Sequence, residues 1–146
     1  MRIEDFTQYF NTLYIVRDFP ENYEGVRYSN LWNPSFGYPY KKNVEWIKNK
    51  QYVIKVHDQK PVDFTFLLQQ KDPRVISSNN PPYNTKLLKI GFIVAKIAST
   101  ENELKFYHES KEVFRIDPTK KRFVHGKLQL TIGRYVLIPF TENAGD

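Results

Sequence analysis

Residues 133–141 read Gly133-Arg134-Tyr135-Val136-Leu137-Ile138-Pro139-Phe140-Thr141, a run with the character of a strand buried on both sides. Gly133 can supply the backbone freedom of a turn, the residues after it are bulky or β-branched, and Pro139 lacks the N–H that a central ladder requires. A period of two puts Tyr135 and Leu137 on one face and Val136, Ile138 and Phe140 on the other. Both faces are apolar. One therefore packs in a core, and the other needs a cover from a neighbouring sheet, a loop or another domain.

The same period recurs upstream. Strand-like runs occupy 12–16, 51–57, 62–69, 87–97, 104–108 and 127–131, which with 134–140 makes seven. Only residues 2–10 carry a helical period, with Ile3, Phe6 and Phe10 at i, i+3 and i+7. Turn-forming stretches separate the strands, notably Trp32-Asn33-Pro34-Ser35-Phe36-Gly37 and Ser77-Ser78-Asn79-Asn80-Pro81-Pro82-Tyr83-Asn84. Many strands without repeated helical crossovers predict an antiparallel β-sandwich rather than a parallel α/β sheet. Gly91, inside a strand, suggests a bulge or a close backbone approach, with simple packing as the plainer role. Trp32 is expected to anchor the core. With no repeat and no internal boundary, the expectation is one domain over residues 1–146.

Composition sets the outer limits. A chain of 146 residues, 40% hydrophobic and 16% aromatic, supports a packed core without metals or disulfides. With no cysteine there is no disulfide, thiolate metal site or cysteine nucleophile in this sequence, which fits an intracellular, cytoplasmic setting. No apolar run reaches the roughly 18 residues of a bilayer span, and the N-terminus has no hydrophobic signal core. The net charge of +6 is unevenly spread. Lys41, Lys42, Lys48, Lys50, Lys55 and Lys60 outnumber Glu45 and Asp58 between residues 41 and 60, and Lys120, Lys121, Arg122 and Lys127 form a second cluster with no carboxylate between them. Such clusters are solvated faces or surfaces for an acidic partner or an anionic membrane. Nucleic acid is not expected, because no helical basic stripe or ribonucleoprotein-type aromatic motif accompanies the charge.

Catalytic constellations are missing. His57, His108 and His125 are scattered, and no phosphate-cradling glycine loop, nucleophile elbow or Glu/His metal motif occurs. The expectation is no catalytic residue, no metal ligand set and no cofactor. Asp58 and Asp63 flank the short stretch 57–61, which is too poor in acid for a confident calcium loop, so calcium is an open but disfavoured option.

Read in order, several motifs resemble the third domain of calpains, the C2-like β-sandwich that follows a papain-like protease core. Ile3-Glu4-Asp5-Phe6 resembles the Phe-Glu-Asp-Phe that opens that domain, and the strand Leu13-Tyr14-Ile15-Val16 follows. Trp32 is placed like the tryptophan before a small-residue turn, and Asn49-Lys50-Gln51-Tyr52 is similar to the Asn-Pro-Gln-Tyr that leads into a strand. Leu67-Leu68-Gln69-Gln70-Lys71-Asp72-Pro73-Arg74 resembles a strand with its basic exit, and Ile90-Gly91-Phe92 resembles the next strand. Gly133 to Thr141 resembles Gly-Glu-Tyr-Val-Ile-Val-Pro-Ser-Thr.

The resemblance implies a C2-like sandwich of about eight strands with a short N-terminal helix, acting as a non-catalytic regulatory domain. Its implied partner is a papain-like protease core in the same polypeptide, faced by Lys71 and Arg74, and an anionic membrane is a further implied partner for the cluster at 120–127. The alternative is a free-standing β-sandwich that binds membrane or protein with no protease attached. Two departures stand out. Conventional calcium-activated calpains carry a strongly acidic loop where only 57–61 remains here, which puts a calcium or electrostatic switch there in doubt. The family pattern also continues beyond Thr141 into a final strand and has a Trp upstream of Met1, so both ends are expected to be boundaries imposed on a longer polypeptide.

Overall fold

The computed structural model describes residues 21–30, 45–71, 87–98, 100 and 111–142. The chain divides into two compact units, Met1–Leu31 and Trp32–Asp146. The first contributes only residues 21–30, a turn at 21–22 followed by irregular backbone. There the expectation of one domain over 1–146 rests on residues outside the description. The helix over 2–10, the strands at 12–16 and 104–108, Trp32 and Arg74 also lie outside the described residues.

The second unit is an antiparallel β-sandwich. Its strands are β1 (Tyr52–Val56), β2 (Val62–Gln69), β3 (Ile90–Ile97), β4 (Lys111–Thr119), β5 (Phe123–Leu130) and β6 (Gly133–Thr141). They form a four-stranded sheet in the order β1-β6-β3-β4 and a two-stranded sheet of β2 and β5. Every pairing is antiparallel. The helical structure among the described residues is a single 3-10 turn, Glu45–Lys48.

Both faces of β6 are buried, and different elements bury them. Tyr135 and Leu137 face the second sheet and pack with Val56, Phe92, Val94, Val124 and Leu130. Phe64, Phe66, Leu68 and Leu128 close that core from β2 and β5, with Phe92 at 6.1 Å centroid distance edge-on to Phe66. On the opposite face Val136, Ile138 and Phe140 join Ile93, Ala95 and Ile97 of β3. Trp46 of the 3-10 turn, only 2% exposed, packs there with Ile47. This is the cover that the two apolar faces required.

Pro139 bears on the position of β6 in the sheet. The strand is central, between β1 and β3, which a proline alone argues against. However, the β1 register ends at the pair Tyr52↔Leu137, while β3 continues to pair Phe92 with Pro139. At Pro139 only β3 is a ladder neighbour among the described residues, so the strand behaves locally as an edge.

Glycines serve two close approaches. Gly133 has φ +148°, a region that favours glycine, and it opens β6 directly after the β5–β6 turn. Gly91 sits at a register shift between β3 and β4. A Cβ there would run into the Ile116 carbonyl oxygen and lie 2.8 Å from Phe140 Cε2. Bulge and close approach are thus both present.

Candidate functional site

The expected basic residues that the structure describes, all but Arg74, fall on the two-stranded sheet and its flanking turn. Lys120, Lys121 and Arg122 form the β4–β5 turn, and all three are exposed. Lys71 is exposed just beyond the end of β2. These two positions are distant in sequence but adjacent in space, because Gln70 joins them. Its backbone N–H donates to the Arg122 carbonyl at 3.0 Å, and its side-chain amide donates to the Lys121 carbonyl at 2.7 Å.

Gln70 also binds a third segment. Its amide donates to the Leu88 carbonyl at 2.9 Å, and its side-chain oxygen accepts the Leu88 N–H at 3.1 Å. The stretch before β3 is therefore held by a side chain instead of a ladder, which explains why the strand expected from residue 87 begins at Ile90. The Glu142 N–H donates to the Lys89 carbonyl at 3.1 Å, and their side chains form an ion pair.

Lys127 lies elsewhere on the same surface. Five residues beyond Arg122 in extended chain place it roughly 16 Å along β5. It stands opposite Thr65, on the outer face that also carries His125 opposite Leu67 and Phe123 opposite Gln69. Burial alternates along β5, with Val124, Gly126 and Leu130 inside. Leu67 and Phe123 are 63% and 52% exposed, large apolar side chains next to the basic turn. The outer face thus carries Lys127 and two exposed apolar side chains, with exposed Asp63 opposite Gln129 at its far end. The exposed cations of the turn and Lys71 lie at its Phe123 end, an arrangement that suits an anionic, partly apolar surface. The sequence reading named neither Gln70 nor these two side chains as functional. For Phe123 an available signal was an aromatic ring directly after three consecutive cations.

The β1–β2 connection spans residues 57–61, all exposed, with Asp58 its one carboxylate. Among the described residues no group of three or more His, Asp or Glu side chains is placed to hold a metal ion. No described helix is long and apolar enough to cross a membrane.

A protein-family model for calpain large subunit, domain III, matches residues 33–146, well over half of the chain. The chain belongs to the calpain domain III family. Two of the stretches whose residues resemble that family, around Gly91 and from Gly133 to Thr141, form neighbouring strands in this domain III. Gly91 is paired directly with Phe140. Domain III is a non-catalytic part of calpain large subunits, in keeping with the absence of catalytic motifs from the sequence. No curated protein matches the chain.

Proposed function

We propose that this domain III is a regulatory module of a calpain-like cysteine protease that packs against a papain-like core in the same cytoplasmic polypeptide. It engages anionic phospholipid through the outer face of β2 and β5. The family match over residues 33–146 carries the first half of the reading. The second half rests on Lys71, Lys120, Lys121, Arg122 and Lys127 sharing a surface with exposed Leu67 and Phe123. Exposed ion pairs contribute only about 0–1 kcal/mol each. Contacts from Lys71 or Arg74 to an acidic protease surface would therefore set an orientation that a ligand can shift, and they would not clamp it.

Sedimentation with phosphatidylserine vesicles tests the lipid reading. Binding should weaken with salt, since each cation near the surface contributes about 1 kcal/mol. It should fall on reversing the charges of Lys120, Lys121, Arg122 and Lys127, and fall separately in Phe123→Ala. Binding that survives both changes sinks the assignment of this face. The protease reading is tested by the coding sequence, where a papain-like Cys, His and Asn region is expected upstream of the domain.

A further inference from the structure

The outer face of β2 and β5 divides into two unlike halves. Its rungs run Gln69↔Phe123, Leu67↔His125, Thr65↔Lys127 and Asp63↔Gln129. The first two carry the exposed apolar side chains of Phe123 and Leu67. The last two are polar and hold one charge of each sign. Lys127 and Asp63 are diagonal neighbours across the strands, about 7–8 Å apart and so within one Debye length at physiological salt. Toward a distant anionic surface their fields largely cancel.

The apolar half continues into the end of the sandwich. Gln70 holds Leu88 there through two hydrogen bonds, and Leu88, 39% exposed, adds a third apolar side chain to the rim. Exposed Lys71, Lys120 and Lys121 stand beside it, because the same glutamine binds the Lys121 carbonyl and directly precedes Lys71. Of the carboxylates described at this end, Glu142 is paired with Lys89 and Asp117 is exposed. The opposite end exposes Ile132, but there Asp58 and Asp63 stand against Lys55 and Lys60. Among the described residues an excess of lysines and a group of exposed apolar side chains thus coincide at the Phe123 end.

We propose that the domain meets an anionic bilayer end-on, with Leu67, Leu88 and Phe123 entering the headgroup region, Lys71, Lys120 and Lys121 on the phosphates, and β2 and β5 rising away from the surface. This rests on the phospholipid reading above and fixes which part of the face touches lipid. The rung of Asp63 and Gln129 lies six residues from that of Gln69 and Phe123, about 20 Å in extended chain. That is more than two Debye lengths, beyond the reach of the surface potential. A face laid flat would press Asp63 against the anionic surface, a repulsive contact that the end-on pose avoids. Lys127 then acts as a remote charge and makes no contact with lipid.

The chain has no cysteine, so a single one introduced on this face can be labelled cleanly. Gln69→Cys and Gln129→Cys, both at exposed positions, carry an environment-sensitive dye to the two ends of the face. With saturating phosphatidylserine vesicles the dye at 69 should shift to the blue and be quenched by spin-labelled lipid, while the dye at 129 should do neither. In the unlabelled 146-residue chain, Lys121→Gln should weaken vesicle affinity about fivefold and Lys127→Gln less than about twofold. Equal responses from the two dyes, or equal losses from the two lysine variants, overturn the end-on pose in favour of a face lying flat. A chain that sediments with vesicles while neither dye responds overturns it as well, and moves the lipid contact to another surface. Absence of sedimentation overturns the phospholipid reading itself, and the end-on pose with it.

Discussion

The side-chain amide of Gln70 donates to the carbonyl oxygen of Lys121 at 2.7 Å across 51 residues of sequence. With the backbone bond from Gln70 to Arg122, this contact holds the basic turn beside Lys71. Gln70→Ala removes three side-chain hydrogen bonds and leaves the backbone one in place. Each net contribution is about 0.5–1.5 kcal/mol, at the low end in an exposed setting. The chain should lose about 1–2 kcal/mol in urea. Amide exchange at Leu88 should quicken selectively, and unchanged exchange there would refute the role of Gln70 as a three-way clamp.

Gly91 and Gly126 should respond differently to alanine. At Gly91 the added methyl meets the backbone carbonyl of Ile116, which cannot move without disturbing the β3–β4 ladder. At Gly126 it meets the ring of half-buried Phe114 at 2.5 Å, and a side chain can turn. Overpacking usually costs about 1–3 kcal/mol, so Gly91→Ala should sit at or above the top of that range and Gly126→Ala lower. Chemical denaturation with equal m-values would rank them.

The Tyr135 hydroxyl donates to the Thr131 carbonyl at 2.9 Å, tying β6 to the turn that precedes it. Tyr135→Phe keeps the ring that lies 5.6 Å beneath Lys96 Nζ and removes only the hydroxyl. A loss of about 1 kcal/mol is expected in thermal or urea unfolding.

Two aromatic residues should separate stability from binding. Trp46→Ala uncovers the second face of β6 and should destabilise by about 3–5 kcal/mol. Phe123→Ala, at a ring 52% exposed, should leave the unfolding midpoint nearly unchanged while weakening vesicle binding. A Phe123 variant that unfolds early would show that its ring supports the fold.

Thr141 is 3% exposed, and its hydroxyl has no hydrogen-bond partner among the described residues. Burying an unpaired hydroxyl costs about 1–3 kcal/mol by mutational measures. Thr141→Val should therefore raise stability by about 1 kcal/mol. A lower midpoint instead would reveal a partner, such as a bound water, on that oxygen.

The strands were unequally legible. β2 occupies the expected residues 62–69, because apolar residues at 62, 64, 66 and 68 keep the period of two on its inner face. β4 was not anticipated, since Lys111, Glu112, Arg115 and Asp117 break the apolar run and Pro118 reads as a stop. Both features suit the edge position that β4 takes in its sheet among the described residues. β5 was expected only from residue 127 but starts at Phe123. Gly126 weakens a strand pattern read alone, yet here the rings of Phe114 and Phe92 fill the space that a side chain would occupy.

By itself the sequence determined the all-β class, the two apolar faces of residues 133–141, the likeness to calpain domain III and the absence of thiol chemistry. These follow from residue type and short-range alternation, which act along the chain. Tertiary structure decided that Trp46 covers one of those faces, that Gln70 brings Lys71 beside Lys120, Lys121 and Arg122, and that Lys55 faces Arg134. Each depends on strand register between segments far apart in sequence. A shift of one residue would turn every side chain to the opposite face, so no local pattern could have specified these pairings.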